Sequence, residues 1–452
     1  MRAIYPRRMG LPFQRDYEDI ERRGAPVTLG IILVNVAVYL VSSYENGFLA
    51  VSDAWVNAFA FVPAYFARPE HLYRLFTSMF LHANLAHIFF NMLYLYTFGK
   101  SVEAVLGSER YFLLYFASGI LASVFHTAFL PIEGASSAFV PALGASGAIS
   151  GVLGAYLLLF PGTRLTMCFF YVFIPLCFTM KAAAYLVFWF ALQILQGFLG
   201  ASLGVAVFAH AGGFIGGLAL LPVLVSEERI GLLRLYSSMH YFFRNIFFTE
   251  RGFTRLSKAV VAVLIGLVAA AAVYSAVEAE TTGGVNKVLT VSVTGRGVND
   301  SESVIIQLQP GGVLDVTPIS SSGVRVVVNR LRAANLLYNS QAAGKSISVD
   351  KSLRGVVNGL PVEITIKANL SFDSYGLLDR GQGHVTTDVL ACDAYGRCTV
   401  SGKGSYDFSV SSEATMAGFK GIPIAELALL SLASSLAAVV NVLRAERYAI
   451  VE

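Results

Sequence analysis

The sequence predicts an all-α polytopic membrane protein of eight spans, with an all-β soluble domain between its last two. Three observations predict it. Of 452 residues, 55% are hydrophobic and only 14% charged, whereas a soluble domain carries roughly 25% charge. Apolar runs long enough to cross roughly 30 Å of hydrocarbon recur along most of the chain. Between about 281 and 412 they give way to short β-branched runs separated by Gly, Pro, Asn and Ser.

Residues 1–26 form a charged cytoplasmic segment, too long for the n-region of a signal peptide. No small-residue cleavage site follows the first apolar stretch, so that stretch reads as a retained helix. The spans are placed at 27–43, 79–98, 111–130, 145–160, 183–199, 205–225, 258–277 and 421–442. The fourth is short and Gly-rich, and must tilt or begin inside a protein-lined cavity. Arginines cluster before the first span, in the basic linker 226–257, and in the tail 443–452. With eight spans these three regions share one side, and the positive-inside bias makes that side cytoplasmic. Spans two, four and six then all run from outside to inside. The net charge of +4 resides in loops and does not point to nucleic acid. The outer loop 47–78, with Trp55, Phe59, Phe61, Tyr65 and Phe66, suits a segment lying in the membrane interface, or an ordinary loop with an aromatic anchor.

In the β-rich region, LTVSV (289–293), VIIQL (304–308), VRVVV (324–328) and VEITI (362–366) read as strands, and the chain order places this domain outside. Their alternating polar residues leave one wet face. Asn299 and Asn369 match the short glycosylation sequon. His384 is the domain's only histidine and has no obvious partner. Cys392 and Cys398 flank DAYGR, where a hairpin disulfide fits if the region faces an oxidising space. Cys168 and Cys177 read as small apolar fillers. The cysteines form no metal framework.

Polar positions inside the apolar spans carry the chemistry. His87 and Asn91 stand at i and i+4 on span two, hence on one face. Ser146 opens span four within GASG, and His210 lies about one turn into span six within HAGG. The shared direction of these spans brings all four to one layer in the outer half of the membrane. A serine hydroxyl needs a neighbouring base to become nucleophilic, and His210 is the candidate base for Ser146. Asn91, His87 and the backbone N–H of Ser146 can donate to the developing oxyanion. Gly144 and Gly147 flank the serine. Gly147 and Gly151 on one helix, and Gly213 and Gly217 on the other, offer faces for close helix approach.

These residues resemble the rhomboid family of intramembrane serine proteases over about 27–225. The resemblance rests on His82, His87 and Asn91 in HANLAHIFFN, the motif around Ser146, and HxxGxxxG at His210, Gly213 and Gly217. Tyr73 and Arg74 resemble the family's aromatic–arginine pair, and Glu103 and Gly107 its turn between helices two and three. The resemblance implies a six-helix rhomboid core with a Ser–His dyad, here joined by two extra transmembrane helices. It implies no metal or nucleotide, transmembrane protein substrates cut near the outer surface, and a lateral gate near Tyr185 to Phe198. Many members place an aromatic residue one turn after the nucleophile; Ser150 stands there, so His210 must be held by something else. A multi-pass protein of the cell membrane, in contact with lipid, follows, with an extracytoplasmic protein partner for the β-domain as one reading of that module. The alternatives are a catalytically silent rhomboid-like protein that binds membrane clients, against which the retained Ser146 and His210 count, and a transporter, for which inverted repeats are missing.

Overall fold

Apolar helices build one of the two units into which the chain divides, Met1–Glu280 with Ile422–Glu452; the other is Thr281–Gly421. The structure is a computed structural model that describes residues 24–66, 68–171, 174–199, 206–234, 253–281, 284–309, 312–357, 360–392, 398–419 and 421–450. The N-terminal arginines and residues 235–252 of the basic linker lie outside the described residues.

In the first unit, α1 is Pro26–Ser43, and α2 (Leu85–Tyr94) passes through a π turn, Leu95–Gly99, into α3 (Lys100–Leu106). Helix α4 is Ser108–Ala128, α5 Ser146–Leu159, α6 Ala182–Phe198 and α7 Val207–Leu224. Helices α8 (Arg255–Thr281) and α10 (Ile424–Leu443) flank the second unit in the chain. Among the described residues five helices are long and apolar enough to cross a membrane, and α5 and α6 are shorter apolar ones. The chain is a multi-pass membrane protein with a separate β-sheet domain.

Helix α5 is the centre of the unit. Every residue from Ala148 to Leu159 is buried, so a helix of 14 residues, roughly 21 Å at 1.5 Å per residue, is surrounded by protein rather than lipid. It packs on α4 and α7. A Cβ on Gly213 would run into the Gly147 carbonyl, and one on Gly217 into that of Gly151. Without side chains there, the backbones approach closely enough for groups at the helix ends to meet. At the opposite end Glu103, 2% exposed, ties three elements together. Its carboxyl oxygens accept from the amides of Val27 (3.0 Å) and Thr28 (2.8 Å) and the hydroxyls of Thr28 (2.7 Å) and Ser108 (2.8 Å). Beside it the tail docks on the bundle, the Ile450 amide donating to the Leu159 carbonyl (2.8 Å).

Two expectations about this unit change. The second span starts at Leu85, not 79: Asn84 is extended and its side chain caps the helix by accepting from the His87 amide, which leaves His82 in the segment before it. Cys177 is not a filler, and the Cys168 side chain lies outside the described residues. Strands β1 (Arg164–Tyr171) and β2 (Ile174–Lys181) form a hairpin in which Cys177 stands opposite Cys168, and Cys177 is disulfide-bonded.

The second unit is an antiparallel sheet of seven strands in the order β5-β4-β3-β9-β8-β7-β6. These are β3 Val285–Gly295, β4 Val298–Leu308, β5 Leu314–Val316, β6 Ser346–Val357, β7 Leu360–Phe372, β8 Leu378–Cys392 and β9 Cys398–Ala417. Period-2 alternation divides the faces: Tyr406, Phe408 and Val410 are buried while Ser405, Asp407 and Ser409 are exposed. The domain is not all-β, because Ser322–Ala333 is a helix, α9. VRVVV therefore belongs to a helix rather than a strand. Its β-branched content suggests a strand, but Val324, Val327, Val328 and Leu331 recur at helical spacing and are all buried, and periodicity outweighs propensity. The Ser321 side chain caps it, and the Asp300 carboxyl accepts from the Gly323 amide at 3.1 Å. An acidic group there also suits the positive end of the helix dipole. Cys392 and Cys398 are opposite in the β8–β9 register; their side chains lie outside the described residues.

Candidate active site

The N-terminal ends of α2, α5 and α7 point the same way and converge. Residues 139–145 turn sharply into α5, held by bonds from the Ala142 amide to the Phe61 carbonyl (2.7 Å) and from the Gly144 amide to the Ser78 carbonyl (2.9 Å). The Ala145 amide donates to His82 Nε2 at 3.5 Å. Gly144 adopts φ +126°, where only glycine is comfortable, and a Cβ there would lie 2.9 Å from the His87 ring and 3.6 Å from Ser146 Oγ. The turn thus presses His87 against the start of α5. It leaves the first-turn amides of that helix, beginning at Ser146, without intrahelical acceptors.

Ser146 Oγ lies 2.8 Å from His210 Nε2. Both residues are half-buried, so water and substrate can approach. His210 Nδ1 lies 2.8 Å from Gln193 Oε1 of α6. An amide oxygen accepts only, so Nδ1 carries the proton and the Nε2 lone pair faces the serine. That is the tautomer a general base needs. The Trp189 ring stands 6.2 Å from that of His210, tilted 33°.

His87 shows the complementary tautomer. Its Nδ1 accepts from the Ala83 amide at 3.3 Å, so its Nε2 is the protonated nitrogen, beside Gly144. The His87 ring N–H and the first-turn amides of α5 thus lie beside Ser146 as potential donors. Asn91 is buried one turn below, where its amide donates to the His87 carbonyl at 2.8 Å and its Oδ1 has no partner; one N–H of that amide is left to point elsewhere. His82 is fully buried and packs edge-on to His87, ring centroids 5.1 Å apart. Tyr73 and Arg74 lie on the loop and hold it: Arg74 donates to the carbonyls of Ala60 (2.9 Å) and Asn57 (2.7 Å), and Tyr73 to that of Ala58 (2.8 Å). Gly147, Gly151, Gly213 and Gly217 lie at the α5–α7 contact. Among the described residues no group of His, Cys, Asp and Glu could hold a metal.

Sequence reasoning missed three features. Gln193 is one; its signal was a lone amide inside an apolar helix. The hydroxyls of Tyr94 and Tyr185, which bond between α2 and α6, are another. The third concerns His384, which does have partners: its Nδ1 is 2.8 Å from Asp407 Oδ1 and its Nε2 2.6 Å from Ser405 Oγ. This Ser–His–Asp chain sits on the exposed sheet face. Sheet amides lie in the plane of the strands while side chains stand perpendicular, so no backbone donor points at an oxyanion above Ser405. It is a cross-strand polar cluster on a solvated sheet face.

Comparison with known proteins gives a consistent context. Residues 69–227 match the family model described as Rhomboid domain. The rhomboid protease GluP of Bacillus subtilis is 39% identical over 66 residues, 15% of this chain and 13% of that protein. The rhomboid protease GlpG of Photorhabdus laumondii is 28% identical over 108 residues, 24% of this chain and 36% of that protein. A mitochondrial RHOMBOID-like protein 12 of Arabidopsis thaliana is 28% identical over 127 residues, 26% of this chain and 36% of that protein. The matched stretches thus span well under half the length of these relatives.

Proposed function

From the rhomboid domain that this chain carries at residues 69–227, we propose that it is an intramembrane serine endopeptidase working through a Ser146–His210 dyad. The observation that carries this reading is the 2.8 Å contact between Ser146 Oγ and His210 Nε2 at the convergence of three helix ends. Ser146 attacks the scissile carbonyl while its proton passes to His210 Nε2. The negative charge on the carbonyl oxygen meets the His87 ring N–H, the Ser146 amide and Asn91. His210 then returns the proton to the leaving amine, and water repeats the sequence on the acyl-enzyme. The substrates are transmembrane segments whose helix unwinds into the site; the relatives' printed names, rhomboid proteases, support peptide hydrolysis.

The finer architecture belongs to the same proposal. A six-helix core of α1, α2–α3, α4, α5, α6 and α7 carries the chemistry, and α8 and α10 are additions. The termini face the cytoplasm and the β-domain faces outside, as the arginine distribution favours. An extracytoplasmic protein partner fits the β-domain's polar face. Substrate enters laterally beside α6.

The test uses purified full-length protein in liposomes with a fluorescent transmembrane substrate, comparing wild type, Ser146→Ala and His210→Ala, with fluorophosphonate labelling as a second readout. Cleavage and labelling by wild type alone are expected. Neither signal from folded wild-type protein, across several substrates, would return the chain to the client-binding reading, and full activity in His210→Ala would remove the dyad.

A further inference from the structure

Among the described residues, two side chains that meet the His210 ring from the side away from Ser146, Trp189 and Gln193, belong to α6. Ser150, one turn after Ser146, gives no support: its hydroxyl donates to the Ser146 carbonyl at 2.7 Å. Trp189 and Gln193 stand at i and i+4, on one face of α6, and both reach the imidazole. We propose that Gln193 is a positioning residue whose side-chain oxygen fixes the His210 tautomer, so that the base is competent only while α6 is packed against α7. The inference rests on the proteolytic reading above and deepens it.

The chemistry is that of a relay with a neutral third member. When Ser146 attacks, its Oγ–H bond breaks, Oγ bonds to the carbonyl carbon, and the proton arrives on Nε2. Positive charge then spreads over an imidazolium whose Nδ1–H already points at Gln193 Oε1. The amide dipole stabilises that cation without adding a negative charge to the site. If α6 moves away, Nδ1 loses its acceptor, and the other tautomer, which places N–H against Ser146 and cannot accept a proton, becomes competitive. α6 is placed to do this. It packs against α7 and α5, while Phe188 and Leu195 on its outer face are 61% and 54% exposed. Across the groove it is tied to α2 by the Tyr94–Tyr185 hydroxyl pair.

Two variants of the full chain separate positioning from packing. Gln193→Met keeps the length and volume but removes the acceptor. Its kcat is expected to fall at least about tenfold, part of the roughly 10²–10⁴ a general base supplies, with KM nearly unchanged. Gln193→Glu restores an acceptor and adds a charge. Its kcat should exceed that of the Met variant, and the acid limb of its pH profile should move to higher pH, because a carboxylate beside an imidazole favours the protonated ring and the base works unprotonated. A purely packing role gives equal losses of kcat in the two variants. A readout independent of turnover is 15N NMR of histidine-labelled protein, with His210 assigned through His210→Ala. Wild type should show Nδ1 protonated and Nε2 bare, and Gln193→Met a mixture. Wild-type kcat together with a wild-type tautomer in Gln193→Met would overturn the inference. An inactive wild type with the expected tautomer would sink the proteolytic reading while leaving the role of Gln193 in setting the tautomer supported.

Discussion

Removing the Glu103 carboxyl tests how the end of the bundle remote from Ser146 is held. Its two oxygens accept four bonds that join α1, α3 and α4. In Glu103→Ala the Thr28 amide, on a residue with no exposed surface, loses its acceptor at a cost of about 1–3 kcal/mol. The Val27 amide and the two hydroxyls are easier to satisfy elsewhere and cost about 0.5–1 kcal/mol each. The favourable placement of an acidic group at the first turn of α1 adds about 0.3–1 kcal/mol. Together these predict a loss of about 3–7 kcal/mol. At about 2–4 °C per kcal/mol for a domain of 150–250 residues, that is a fall of about 6–28 °C in the thermal midpoint. The assay is intrinsic tryptophan fluorescence in detergent. Trp55 and Trp189 are the only tryptophans, and both belong to the helical unit, so the signal reports that unit alone. Glu103→Gln retains one acceptor oxygen but turns an amide towards other donors, and should fall between. A midpoint for Glu103→Ala within about a degree of wild type would refute the reasoning.

The helix contact and the β-domain give two further expectations. Gly217→Leu drives a side chain into the Gly151 carbonyl, should separate α7 from α5, and should abolish fluorophosphonate labelling; Gly266→Leu on α8, where a Cβ meets nothing within 4 Å, is the control that keeps it. Lys287→Met removes a wholly buried ammonium that lies 2.7 Å from Asp373 and 2.8 Å from Asp379. Leaving those carboxyls without their cation should cost about 3–5 kcal/mol, read as new protease cleavage within residues 281–421. Unchanged resistance to proteolysis would mean the ion cluster is dispensable.

Much of the helical unit was legible because its free energy is local. Transfer of apolar side chains into hydrocarbon depends on composition over a window of about 20 residues, so the spans stand out without knowledge of neighbours. The same logic exposes His87, Asn91, Ser146 and His210, since a polar group in such a run needs a reason to be there. The glycines at 147, 151, 213 and 217 are legible through spacing. Helix starts were less so: α2, capped by Asn84, begins six residues after the apolar run does, because a cap is set by one side-chain bond rather than by hydropathy.

What the sequence by itself determined, then, is which segments seek the membrane, which of their residues are chemically out of place there, and which faces are smooth enough to meet. Tertiary structure alone decided who meets whom. That Gln193 rather than a neighbour of Ser146 holds His210 depends on the rotation of α6 about its axis. That His384 faces Asp407 and Ser405 depends on a sheet register between strands whose pairing no window reveals. That VRVVV is a helix was settled by a sheet on which Val324, Val327, Val328 and Leu331 can be buried together. In each case the deciding energy is a contact between residues distant in sequence, and such contacts exist only once the chain has folded.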